Sequence, residues 1–517
     1  MRLSATPLTP AEVVAVARSG EPVHLDPGVA AGMAPGRRVV EEAVASGRVV
    51  YGVTTGFGAL ADTRVPPARA AELQQALVRS HAAGMGPLVD DEVVRAMALL
   101  CARTLATGHC GARPEVVEAL VALLNGGVRV AVPSHGSLGA SGDLAPMAHV
   151  ALALTGEGWA RAADGAVADA GEALAAAGIA PLALSVKEGL ALLNATEGML
   201  ALLLLAVEDL RRLTRTADVV CALSVEALLG TDRPFADRLQ RLRPHPGQAA
   251  SAAVVRAMLA GSPIVASHRD SAHAVQDAYS LRCAPQVHGA ARDALDWAGV
   301  VRDRELSAVV DNPVVFPDDG AVESTGNFHG EPLALALDLL AVAVCELAAV
   351  SERRTDRMLD PARSHGLPPF LAPEAGLNSG LMLGQYTAAS MVAECRRLAV
   401  PASADSVPTS GMQEDHVSLG WSAGCKLRRA VANLAGVLAV EAVCAAAAVE
   451  LRAPLPPAPR TAAVVRRLRE EVPALREDRF LAQDLEAACR LVDAGALLEA
   501  AGLREGPGRG PGTDAMA

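Results

Sequence analysis

The chain of 517 residues is long enough for a large core and two or three domains, and 51% of it is apolar although aromatic residues make up only 2%. Its 46 basic and 58 acidic residues give a formal net charge of −12, which argues against nucleic acid and anionic membranes as partners. Nine cysteines show no CxxC and no paired spacing, so they read as small buried hydrophobes in a reducing compartment, not as a disulfide framework or a zinc site.

The N-terminus lacks a signal-peptide core. The longest apolar runs are interrupted, 334–350 by Asp338 and Glu346 and 435–450 by Glu441 and Glu450, so a soluble cytoplasmic protein is expected. Thr9-Pro10-Ala11-Glu12 is a good helix start, and 9–47 reads as two short helices. A Gly-rich loop over 48–66 precedes helical patterning at 67–83, 90–107 and 114–125. The small-residue loop 131–143 leads into an apolar helix from Leu144, and a small hairpin is plausible within 155–182. From Glu188 onward, 188–230, 251–261, 286–308, 332–357, 378–398 and 416–450 are apolar nearly all round, as buried bundle helices are. Prolines after Arg452 end the bundle, a shorter helical region follows, and the tail from Arg504 reads as disordered. The expected fold is mainly α, a long central helical bundle with an N-terminal loop-rich domain. The expected divisions are 1–187, 188–451, 452–503 and the tail 504–517.

The first chemically suggestive block is Gly139-Ala140-Ser141-Gly142-Asp143. A tight turn is the plain reading. A nucleophile elbow would need Gly where Asp143 stands, and no Lys follows to make a phosphate loop. Backbone cyclisation is a further possibility. The unhindered Gly142 nitrogen attacks the Ala140 carbonyl carbon, water is lost, and dehydration of Ser141 leaves an exocyclic methylidene, a strong electrophile.

GSLGASGDLAPMAHVAL resembles the prosthetic-group segment of the histidine/phenylalanine ammonia-lyase family. VYGVTTGFGALAD, RSHAAGMG, KEGLALLNATEG, VQDAYSLRCAPQV, SAVVDNPVVF, GNFHGEP, SERRTDRMLD, SHGLPPFLAPEAGLNSGLM and ADSVPTSGMQEDHVSLG also resemble family blocks, in family order, over about residues 48–425. The resemblance implies a 4-methylidene-imidazol-5-one formed autocatalytically from Ala140, Ser141 and Gly142, with no external cofactor. It implies that Tyr51 removes the substrate β-proton, for which a phenol needs its pKa lowered by positive charge or hydrogen bonds. Asn194 would hydrogen-bond the prosthetic group or substrate, where the plain reading is a structural cap. Arg282 would fork the substrate carboxylate, Tyr279 and Gln276 would support prosthetic-group formation and elimination, and Phe328 would form an aromatic wall near the new ring. Gln276, Tyr279 and Arg282 come close together if their segment is a helix or a succession of turns.

Ser80-His81 resembles the histidine-specific members, and Glu414 offers an imidazole N–H its acceptor. Together they imply elimination of ammonia from L-histidine to give urocanate. Residues 413–416 are not read as a metal cluster, since consecutive side chains diverge, and no metal is expected. Departures from the pattern include Ala195 and Glu197 in place of Gly and Gln, and His288 in PQVHGA. Alternatives are a phenylalanine or tyrosine ammonia-lyase, a 2,3-aminomutase, an inactive helical scaffold, or a pyridoxal enzyme using Lys187 or Lys426. The fumarase–aspartase signature GSSxMPxKxN is absent. The resemblance also implies a homotetramer whose sites draw residues from several subunits.

Overall fold

The first helix, Pro10–Ser19, shows how closely local chemistry sets the element boundaries. Thr9 Oγ1 accepts from Glu12 N–H at 3.3 Å, and the Glu12 carboxylate accepts from Thr9 N–H at 2.8 Å, a capping box that satisfies two otherwise orphaned donors. Gly20, at φ +66°, ends the helix in the left-handed conformation. The computed structural model describes residues 1–139, 143–271 and 273–503. The tripeptide 140–142 and the tail from Arg504 therefore lie outside the described residues.

The second helix, Val29–Ala45, is longer than expected: it runs 17 residues with Pro35 in its interior. Helices Ala70–His81, Asp91–Ala106, Pro114–Asn125 and Leu144–Leu154 occupy the expected stretches. Trp159–Arg161 pairs antiparallel with Val167–Asp169, so the hairpin forms. The described strands make only two-stranded sheets; the fold is mainly α.

The long helices are Glu197–Ala227, Ala284–Ser307, Glu331–Leu359 and Gly420–Glu450, with Pro246–Leu259 and Met382–Leu398 shorter. The stretch 188–230 is not one helix. Helix Glu188–Leu193 stops at Asn194, and a new one begins at Glu197. Three segments, Glu188–Ala227, Glu331–Leu359 and Gly420–Glu450, are long and apolar enough to cross a membrane, although the sequence reading had set such spans aside. Their most apolar windows are 100%, 61% and 83% buried inside the protein, the environment of bundle helices.

By contact the chain forms two units, each drawn from three stretches. The first comprises 1–205, 299–337 and 401–425; the second comprises 206–298, 338–400 and 426–517. This division differs from contiguous boundaries at 187 and 451. The reason is that each of the four long helices has one end in each unit.

In the first unit Val39, Val40, Ala43, Val50, Val53 and Val315 form a core cluster beneath the loop that carries Tyr51. Lys187 and Asp311, both fully buried, pair there at 2.5 Å. In the second unit Arg354 pairs with Glu441 at 2.5 Å and Asp218 with His288 at 2.7 Å, again with all four side chains fully buried. Arg354 also donates to the Ser280 carbonyl at 3.2 Å, inside the turn that carries Tyr279 and Arg282.

Candidate active site

Both flanks of residues 140–142 are held in the first unit. Gly139 has φ +74°, a conformation that favours glycine, and a Cβ there would lie 2.1 Å from Ser418 Oγ. Its carbonyl accepts from Gly330 N–H at 3.0 Å and from Ser418 Oγ at 2.9 Å. On the other side Asp143 N–H donates to the Ala195 carbonyl at 2.5 Å. The Asp143 carboxylate accepts from Met199 N–H at 2.8 Å and Ser137 Oγ at 3.0 Å. Burial pushes the Asp143 carboxyl up to about 7 against those hydrogen bonds, and the nearby Glu197 adds to the rise.

Asn194 caps the C-terminus of Glu188–Leu193 and is 4% exposed. Its Nδ2 donates to the Asn312 carbonyl at 2.9 Å, while its buried Oδ1 has no partner. An unpaired buried acceptor costs free energy unless something meets it. Asn194 thus retains acceptor capacity one residue from Ala195, whose carbonyl anchors the tripeptide's far flank, and this orphaned oxygen fits a group built at 140–142.

Tyr51 lies half-buried, edge-on to Phe57, with ring centroids 6.4 Å apart. Its hydroxyl oxygen accepts from Gly58 N–H at 3.0 Å. Ser410 Oγ accepts from Ala59 N–H at 3.2 Å, tying this loop to the turn Ser410–Met412. Beyond that turn, Thr409 Oγ1 donates to the Glu414 carboxylate at 2.8 Å. Glu414 is therefore close enough for its charge to act on both Tyr51 and His81. Burial raises the Tyr51 phenol above its ordinary value; the Gly58 hydrogen bond opposes this and Glu414 reinforces it. The lowered pKa expected of a phenolic base is thus not met here: among the described residues, burial and Glu414 outweigh the Gly58 hydrogen bond.

His81 ends helix Ala70–His81, with Nδ1 3.0 Å from the Leu77 carbonyl. A proton on Nδ1 makes that bond and leaves Nε2 an acceptor. Burial lowers its pKa, offset in part by that hydrogen bond and by Glu414. Phe328 is half-buried in the turn between Gly326 and His329.

Gln276, Tyr279 and Arg282 belong to the second unit. Only Tyr279–Arg282 is helical; Gln276 sits in an exposed bend before it. Arg282 stacks its guanidinium over the Tyr279 ring, 4.6 Å from the centroid, and donates from Nε to the Asp277 carbonyl at 3.0 Å. Tyr279 is 71% exposed. The structure thus brings Tyr51, His81, Asn194, Phe328 and Glu414 into one unit and Tyr279 beside Arg282 in the other.

Sequence reasoning passed over Ser418, named Glu197 only as a departure from the family pattern, and gave Asp143 no role. Asp143 stands where a helix cap for Leu144 belongs, yet makes no side-chain cap there and instead holds the start of a different helix. Its presence in the small-residue block was the available signal. Lys187, one of two lysines a pyridoxal enzyme could use, is committed to its buried pair with Asp311.

The family described as aromatic amino acid lyase matches residues 8–470. A curated histidine ammonia-lyase of Streptomyces coelicolor is 56% identical, covering 97% of this chain and 98% of its own length. One of Streptomyces griseus is also 56% identical, covering 96% and 98%. Among solved structures, histidine ammonia-lyase from Trypanosoma cruzi superposes with a TM-score of 0.89 at 38% identity, covering 97% of this chain and 95% of its own. Tyrosine aminomutase from Streptomyces globisporus gives 0.90 at 37%, covering 97% and 98%. The chain belongs to the aromatic amino acid lyase family.

Proposed function

We infer that this chain is a soluble, cytoplasmic ammonia-lyase that converts L-histidine to trans-urocanate and ammonia. The observation that carries the reading is the nearness of the Glu414 carboxylate to both Tyr51 and His81, with Ser410 beside it bonded to the Tyr51 loop at Ala59 N–H. His81 Nε2 and the Glu414 carboxylate are both acceptors, a pair suited to the two N–H groups of an imidazolium ring. Curated relatives at 56% identity carry the name histidine ammonia-lyase.

Residues 140–142 would form the methylidene-imidazolone, with Gly139 and Asp143 fixing the flanks and Asn194 Oδ1 free to accept a hydrogen bond from the group or the substrate. When formed, that group supplies an electrophile that makes the amine a better leaving group. This chain's own residues then act on the substrate. His81 and Glu414 orient the ring, Arg282 forks the carboxylate, and Tyr51 takes the β-proton. The Cα–N bond breaks as the Cα–Cβ double bond forms, and ammonia leaves. The charge that would lower the Tyr51 pKa is left to the bound substrate or a neighbouring copy, since burial and Glu414 raise it among the described residues.

We place Tyr279, Arg282 and Gln276 in sites completed by other copies of the chain, in a homotetramer. The apolar stripe Leu335, Leu339 and Val342 on Glu331–Leu359, 50%, 40% and 42% exposed, supports association, because its i, i+4, i+7 spacing makes one continuous face.

The deciding experiment measures ammonia and conjugated-acid absorbance with L-histidine, L-tyrosine and L-phenylalanine. Turnover of histidine alone is expected. Turnover of an aromatic acid, or formation of a β-amino acid, would replace the histidine reading with a lyase or aminomutase of the same family.

A further inference from the structure

Residues 413–416 make no metal cluster among themselves, but the fold carries His416 to a different pair of residues. The rings of His329 and His416 lie with centroids 5.4 Å apart and planes 30° from parallel. His329 Nε2 and His416 Nδ1 are 3.4 Å apart. Glu331 joins them, and one ligand atom from each of the three residues falls within 4.8 Å of the others. Glu331 Oε2 is buried and has no hydrogen-bond partner, an arrangement an anionic oxygen tolerates poorly unless a cation meets it.

We propose that His329, Glu331 and His416 form a binding site for a divalent transition-metal ion, with zinc as the type. Two zinc–nitrogen bonds of about 2.0–2.1 Å at a tetrahedral angle put their nitrogens about 3.3–3.4 Å apart. The two imidazoles already stand at that separation. Two imidazoles and a carboxylate suit Zn, Ni or Co rather than Mg or Ca. His416 is exposed and the other two half-buried, so one face opens to solvent, which gives the ion an entry path and a water as fourth ligand.

Ligation through His329 Nε2 shifts that ring's proton to Nδ1. The contacts given up are weak ones: Glu331 N–H to Nδ1 at 3.3 Å, Nε2 to the His416 carbonyl at 3.3 Å, and the Nε2–His416 Nδ1 hydrogen bond at 3.4 Å. The consequence is mechanical. Gly330, between two of the ligands, and Ser418, two residues beyond the third, both donate to the Gly139 carbonyl. A bound ion ties together the two segments that grip the loop entering residue 140.

The test uses full-length protein purified without a metal-affinity tag, stripped with chelator and dialysed. Zinc ion alone is titrated calorimetrically, and Tm is recorded with and without it. Saturable uptake of one ion per chain at this site, with a rise in Tm, is expected. His416→Ala and Glu331→Gln should each weaken that binding about tenfold or more. His273→Ala, in the separate cluster where the His273 ring packs against His268 and His365, should leave it unchanged. The absence of saturable uptake by the unaltered protein overturns the site. So does unaltered affinity in either His416→Ala or Glu331→Gln, the latter keeping the side chain's shape if the alanine variant folds poorly.

Discussion

Ser418 Oγ donates to the carbonyl oxygen of Gly139 at 2.9 Å, across 279 residues of sequence. The same hydroxyl occupies the space a Gly139 side chain would need, 2.1 Å from an added Cβ. Sequence neighbours of residue 140 are thus held by a segment that also carries Glu414.

Gly139→Ala adds a clash to the left-handed strain of about 1–2 kcal/mol. We expect a fall in Tm and a chain whose intact mass keeps the two waters that ring closure and Ser141 dehydration would expel. A variant with unchanged Tm and full activity would show that the loop enters residue 140 by another route.

Glu197 gives a pH test. Burial holds its carboxyl up at about 7, with the Thr104 hydroxyl donating to it at 2.6 Å. A folded pKa above the unfolded one contributes stability that is complete below the unfolded value and disappears as pH climbs through the folded one. Stability should therefore fall from about pH 5 to about pH 8. Glu197→Gln, neutral throughout, should match the parent near the acid end and exceed it at the alkaline end by on the order of 1–3 kcal/mol. Part of the slope persists, because Asp143 is raised to about 7 as well. Parallel Tm–pH curves for the two proteins would count against a proton on Glu197.

Tyr51→Phe should lower kcat by about 10²–10⁴-fold while losing one hydrogen bond from Gly58 N–H, about 1 kcal/mol of stability. Full activity in a folded variant would remove Tyr51 from proton abstraction.

Glu414→Gln removes a negative charge that raises both Tyr51 and His81. Both pKa values should drop. The rate of a reaction needing phenolate rises toward the phenol's pKa, so the rising alkaline limb of kcat/KM should move to lower pH. Affinity for histidine should weaken at the same time. An unmoved limb would separate Glu414 from the base.

Lys187→Met leaves Asp311 buried without its cation. Breaking such a pair costs about 3–5 kcal/mol, and denaturant unfolding should register it. Full stability would mean that Asp311 takes up a proton instead.

Much of the candidate site could be nominated from sequence because its residues stand in short blocks. Tyr51 in its Gly-rich loop, His81 at a helix end, Asn194 in an apolar run and Glu414 beyond a turn each stand out against a background of Ala, Val and Leu. The break at residues 194–196 went unread, although Asn194, Thr196 and Glu197 interrupt the apolar run where helix Glu188–Leu193 gives way to Glu197–Ala227, because so short an interruption does not by itself tell a break from a polar stripe on one continuous helix. Nor was the Asp143 link to Met199 N–H, 56 residues on, because nothing in the local pattern of either partner names the other.

The sequence by itself determined what depends on near neighbours: the capping box at Thr9 and Glu12, the helical class, and the small-residue tripeptide whose backbone can close on itself. Spacing along the chain governs these, and spacing is what a sequence displays. Only the tertiary structure decided the direction of the Tyr51 pKa, the unpaired Oδ1 of Asn194, and the meeting of His416 with His329 rather than with its own neighbours. Burial and Coulomb interactions depend on distance through space, and that distance exists only once the helices have packed.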